Sequence, residues 1–172
     1  MNIMCIFIQI LFIRYFRKDF MSKKTKDKIS VKFCGGNAWD VTGSMIYIET
    51  PHRRILLECG LWQSTGSTLE NWKINTRKFD FRPNKIDYLF SCDRHIDHTG
   101  LIPRLYNSGA TCPIIAPYGS KQIAEILMRD SARIIASDAE LLSQKLGRAY
   151  EPFYMDSDVD MALGHWTEYD DK

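Results

Sequence analysis

Asp93, His95, Asp97 and His98 fall within six consecutive residues, Asp93-Arg94-His95-Ile96-Asp97-His98, and include two of the chain's four histidines. Imidazole nitrogen and carboxylate oxygen are the donors that zinc and related ions take. A metal held this way generates hydroxide from water near neutral pH and stabilises charge on a reacting phosphate or carbonyl. The competing reading is a polar loop in which Asp97 caps the next helix and the histidines are merely solvated. Spacing by itself leaves both readings open.

The flanking residues say what must position these groups. Ile86-Asp87-Tyr88-Leu89-Phe90 is an apolar run of strand length. Thr99-Gly100-Leu101-Ile102-Pro103-Arg104-Leu105 follows the motif, with Pro103 suited to the first turn of a helix and Gly109 to its stop. The four donors are therefore expected on a strand-to-helix turn at the carboxyl edge of a sheet, where layered α/β folds hold ligands.

Ile86 to Leu105 resembles the signature region of the metallo-β-lactamase superfamily, whose motif is His-x-His-x-Asp-His. Three further segments are similar to its RNA-processing branch, which carries an inserted β-CASP domain. They are Phe33 to Ser44 with its Gly35-Gly36 turn, Ile55-Leu56-Leu57-Glu58-Cys59-Gly60-Leu61-Trp62-Gln63, and Arg129-Asp130-Ser131-Ala132-Arg133-Ile134. The resemblance implies an α/β fold, an αββα sandwich of which this chain carries the amino-terminal half and the start of the β-CASP insertion. It implies hydrolysis of phosphodiesters, in RNA more often than DNA, by up to two zinc ions. By position, Asp93 and His95 would hold the first metal and Asp97 and His98 the second. Asp97 would also steer the bridging water or take its proton, and Glu58 would orient the ligands.

Asp93 stands where the family has its first histidine, and Glu58 where it has a shorter acid. A carboxylate binds zinc at similar distances but is harder and charged, which alters the acidity of bound water. The family's later ligands are not found. His165 lacks their flanking residues and reads as an ordinary histidine on a short helix. With about two ligands per ion instead of three, weak metal binding and slow turnover are expected. Two alternatives remain: a non-catalytic relic or partner-binding fragment, and a small-ester, thioester or lactam hydrolase of the same fold. The segment from Arg129 to Ile134 argues against the last.

Composition suits a soluble protein with a core, at 45% hydrophobic and 26% charged residues. A net charge of +2 does not itself argue for nucleic acid, although a local patch suffices for it. Cys5, Cys34, Cys59, Cys92 and Cys112 show no paired spacing and read as reduced thiols of a cytoplasmic protein, Cys92 as packed beside the motif. Ile3 to Ile13 is too short an apolar run to span a bilayer. It lacks a signal peptide's basic start and cleavage site, so it reads as an upstream extension or a weak interfacial anchor.

The expected organisation is an extension over 1–28, a partial metallo-β-lactamase-like domain over 29–135 and the start of the insertion over 136–172. Strands are expected around Ile29–Phe33, Met45–Ile48, Ile55–Leu57 and Pro113–Ala116. Trp62 to Pro83 reads as a long surface loop. Its Lys73, Arg77, Lys78 and Arg82, beside Trp72 and Phe79, read as a solvated face with a nucleic-acid backbone as the alternative partner. Helical spacing from Ile123 to Leu142, capped by Ser120, suggests two helical pieces, and Ser157 to Asp160 suggests the start of a last one. Half a sandwich would leave one apolar sheet face uncovered, predicting a partner, an oligomer or aggregation.

Overall fold

The computed structural model describes residues 28–35 and 42–170. They form a six-stranded mixed sheet in sequential order: β1 (Ser30–Phe33), β2 (Ile46–Glu49), β3 (Arg54–Leu57), β4 (Tyr88–Phe90), β5 (Ile114–Pro117) and β6 (Trp166–Tyr169). β1, β2 and β3 pair antiparallel, and β3 through β6 pair parallel. The helices are α1 (Thr68–Asn75), α2 (Ile96–Thr99), α3 (Ile102–Asn107), α4 (Ser120–Leu146) and α5 (Asp156–Leu163). Parallel neighbours need crossovers, and helices supply them between β3 and β4, β4 and β5, and β5 and β6.

The core lies on one face of this sheet. Leu56, Leu89, Ile114 and Trp166 occupy one cross-strand row and pack with Ile102, Leu105, Met128, Tyr154 and Val159 from the helical side. Leu56, Leu89, Ile114 and Met128 are completely buried. Removing the larger of these from water is worth roughly 2–3 kcal/mol each. None of the strand residues on the opposite face belongs to this core cluster.

Several local expectations change. The segment from Trp62 to Pro83 is not a structureless loop, since it contains α1 and a 3-10 turn at Pro83–Lys85. Ser67 caps α1 by accepting the Glu70 N–H, and Trp72 and Asn75 turn inward. Asn75 exchanges two 2.8 Å hydrogen bonds with the backbone of Trp62, tying α1 to the segment that follows β3. The two expected helical pieces are one 27-residue helix. No Gly or Pro interrupts it, and left-handed Gly119 and Gly147 flank it. Gly119, not Ser120, is the capping residue.

The last helix begins at Asp156 and not at Ser157. Its first turn is closed by the Met155 N–H donating to Asp158 at 2.8 Å. His165 lies beyond the end of α5, directly before β6, and its carbonyl accepts the Ile114 N–H. β6 itself was not expected. The expected junction between residues 135 and 136 falls inside the unbroken α4, and β6 hydrogen-bonds to β5 in the same sheet. Residues 1–27 of the expected extension over 1–28, including Cys5 and the run from Ile3 to Ile13, lie outside the described residues. So do Gly36 to Val41 of the expected glycine turn. Among the described residues, no helix is long and apolar enough to cross a membrane.

Candidate active site

β3 and β4 run parallel, so Glu58 and the segment Ser91–His98 leave the sheet at the same edge. Backbone hydrogen bonds lace the two together. Cys59 N–H donates to the His98 carbonyl at 2.8 Å, Leu61 N–H to that of Ile96 at 3.0 Å, and Ser44 N–H to that of Asp97 at 2.9 Å. Gly60 lets this happen, because a Cβ there would stand 1.6 Å from the Asp97 carbonyl oxygen. The motif thus sits on the strand-to-helix turn expected for it, with α2 starting at Ile96. His95, not Asp97, occupies the capping position of α2, and Asp97 lies in its first turn.

The side chains fall into pairs. Asp93 accepts the His95 N–H at 3.0 Å and lies 2.6 Å from the His95 ring Nδ1. Burial pushes the Asp93 carboxyl up, but the two His95 hydrogen bonds and the nearby imidazoles hold it below the usual carboxylate range. His98 Nε2 is 3.5 Å from Asp97 Oδ2, and its Nδ1 is 3.9 Å from Glu58 Oε2. These last two atoms are buried and have no hydrogen-bond partner.

Glu58 is the most unusual residue of the group. It is 6% exposed and holds a left-handed backbone, φ 59°, which costs a residue with a Cβ about 1–2 kcal/mol. Desolvation pushes its carboxyl up to about 8, against the hydrogen bond it accepts from the Cys92 N–H at 3.0 Å. Cys92 serves this edge through both its backbone and its side chain, each hydrogen-bonding the Glu58 carboxyl. Among the described residues, Cys34, Cys59, Cys92 and Cys112 form no disulfide.

The donor types suit zinc, yet no three of the His, Cys, Asp and Glu side chains among the described residues are grouped to hold an ion. The described residues alone therefore do not fit a complete zinc centre. His165 precedes β6 and so lies at the opposite edge of the parallel strands, its ring 5.0 Å from that of Tyr106. Lys73, Arg77, Lys78 and Arg82 are exposed. The aromatics beside them are already engaged: Trp72 is buried against Tyr150 and Phe153, and Phe79 stacks on Phe81 under the Arg104 guanidinium.

The fold is of the α/β class, with a His- and Asp-bearing turn at the carboxyl edge of its parallel strands, and sequence comparison narrows it. No family model matches the chain. It is 30% identical over 130 residues to ribonuclease TTHA0252 of Thermus thermophilus, covering 76% of this chain and 26% of that protein. It is 30% identical over 139 residues to the probable RNase MJ4 of Methanocaldococcus jannaschii, covering 80% and 28%. With the transcription termination factor FttA of Methanothermobacter thermautotrophicus it shares 27% identity over 108 residues, covering 62% and 17%. These relatives bear out the resemblance to the β-CASP branch of the metallo-β-lactamase family. It matches about a quarter of the length of the first two relatives.

Proposed function

We propose that this chain carries part of a zinc-dependent, RNA-cleaving phosphodiesterase of the β-CASP type, acting in the cytoplasm. The observation that carries the reading is the motif turn locked by backbone hydrogen bonds to the Glu58–Leu61 segment, in a chain whose relatives are named ribonucleases. Asp93, His95, Asp97 and His98 would hold the zinc, completed by donors from outside the described residues. Zinc supplies a nucleophilic water and neutralises phosphate charge when bound. Within the chain, Asp97, 3.5 Å from His98, would accept the proton, and Glu58, 3.9 Å from the other ring nitrogen, would orient His98. The fold on this reading is one α/β half of an αββα sandwich, supported by a sheet face that the core of the described residues leaves unused.

A second reading is favoured by the pairing of Asp93 with His95 and by the lack of a grouped third donor among the described residues. On it, the chain is a non-catalytic partner-binding relic. Elemental analysis of the purified chain, beside an Asp97→Ala/His98→Ala variant, separates the two. About one or two zinc ions per chain, lost in the variant, and cleavage of labelled RNA that falls with them support the enzyme. Equal, negligible metal in both proteins supports the relic.

A further inference from the structure

The crossover from β3 to β4 carries positive charge that neither the core nor the motif turn uses. Between Asn71 and Ile86 it has five basic residues, Lys73, Arg77, Lys78, Arg82 and Lys85, and one acidic residue, Asp80. This stretch is strongly positive in a chain whose net charge is only +2. All five cations are exposed, and among the described residues none of them is ion-paired. Two arginines elsewhere are neutralised where they stand, Arg54 by Glu49 at 3.1 Å and Arg129 by Glu125, Asp156 and Asp160. Asp80, the one acid of the strip, is turned to Lys32 of β1 at 3.7 Å. An unneutralised run of one sign sets up a field that a polyanion follows.

We propose that this strip is a track for the phosphate backbone of single-stranded RNA, separate from the donors of the motif turn. The inference rests on the RNA-cleaving reading above and adds where the strand is gripped away from the reacting bond. The strip's backbone is already held, so binding need not order it. The Arg104 guanidinium donates to the carbonyls of Thr76 at 3.0 Å and Arg77 at 2.7 Å and lies over the Phe79 ring. Phe79 stacks on Phe81, and Phe81 on Tyr47 of β2. The Lys85 N–H closes the 3-10 turn onto the Arg82 carbonyl at 3.0 Å. Cations mounted on a fixed frame lose less entropy when they meet a ligand.

Position and chemistry agree with that ligand. A crossover between parallel strands returns from the carboxyl edge of the sheet to its amino edge. Its first part is coupled to the motif, because Asn75 bonds the Trp62 backbone and the adjacent Leu61 N–H donates to the Ile96 carbonyl. A strand lying on the cations therefore leads away from the motif turn toward the opposite edge. Trp72, Phe79 and Phe81 are engaged with other rings, so the grip falls on phosphate and is indifferent to base sequence. No large apolar side chain is exposed between residues 71 and 86, so nothing there enters a lipid surface. RNA is the polyanion that the proposed activity already requires.

The test is fluorescence anisotropy of a labelled oligouridylate of about 20 nucleotides with the full chain, in chelator, across about 50 to 200 mM salt. Five phosphate contacts predict a slope of about −3.5 for the logarithm of affinity against that of salt. Arg77→Ala/Lys78→Ala/Arg82→Ala should weaken binding about tenfold or more and bring the slope to about −1.4. Arg77→Lys/Arg82→Lys keeps the charge and should keep the slope. Arg133→Ala/Lys145→Ala/Arg148→Ala removes as much exposed charge from α4 and its end, and should leave the slope unchanged. Circular dichroism checks folding, and Lys78→Glu alone replaces the triple variant if that unfolds. RNA of mixed sequence and DNA of equal length should bind within a few-fold of the oligouridylate. No saturable binding at low salt overturns the proposal, as does a strip variant that binds like the unaltered chain or like the α4 control. Strong preference for one base sequence overturns it too, as does tighter binding to phosphatidylserine vesicles or to polyglutamate. The assay holds no zinc and reads no cleavage, so this proposal and the enzyme reading can each fail alone.

Discussion

Burial and charge conflict at Glu58, and the conflict is measurable. Burial pushes its carboxyl up to about 8, from 4.5 for an ordinary glutamate. Between those values the native state holds a proton that the unfolded chain has released, so stability falls as pH rises through this window. The contribution is greatest below pH 4.5 and lost above about 8. In the metal-free chain, thermal melts with chelator should show Glu58→Gln flattening that slope and gaining stability, on the order of a few kcal/mol, on the alkaline side. An unchanged slope would mean that Glu58 is ionised throughout. Asp93 invites the complementary change. Asp93→His restores the family's first histidine and removes the carboxylate that occupies His95 Nδ1. Zinc affinity by competition titration should tighten by about tenfold or more. No change would show that this turn does not reach a metal.

Elements hold these residues at the sheet edge, and their weak points are specific. Gly60 has no room for a methyl group against the Asp97 carbonyl. Gly60→Ala should cost about 2–3 kcal/mol and displace α2 from β3, read by chemical denaturation and by lost amide-exchange protection at Cys59 and Leu61. Ser67→Ala removes the cap of α1 and should cost about 1 kcal/mol, with no effect on the motif. α1 shows where reading by residue type failed. The stretch is rich in Ser, Thr and Asn, as loops are, yet Ser67 stands as a cap and Trp72 and Asn75 bury toward β3. Its helical apolar signal is weak because two side chains, not a stripe, hold it in place. The capping pair Ser67 and Glu70 was the available cue.

At the scale of the whole molecule, α5 and β6 belong to the same packed body as the motif. Tyr154 and Val159 are fully buried, and β6 extends the parallel sheet from β5. Val159→Ala should therefore lower one shared unfolding transition by about 2 kcal/mol, seen equally by near- and far-ultraviolet circular dichroism. A separate early transition confined to the carboxyl-terminal segment would contradict this.

The sequence by itself determined the motif turn, the strand that precedes it, the donor types and the family resemblance. These are local: a strand-length apolar run, a proline at a helix start and a fixed donor spacing act over few residues. Only the tertiary structure decided which donors meet. Asp93 turns to His95 and His98 to Glu58, because the Glu58–Leu61 segment docks across 34 residues of chain onto the motif. It also decided that β6 closes the parallel sheet and that all strand charge lies on one face. That partition depends on cross-strand register, which no single strand of four residues specifies.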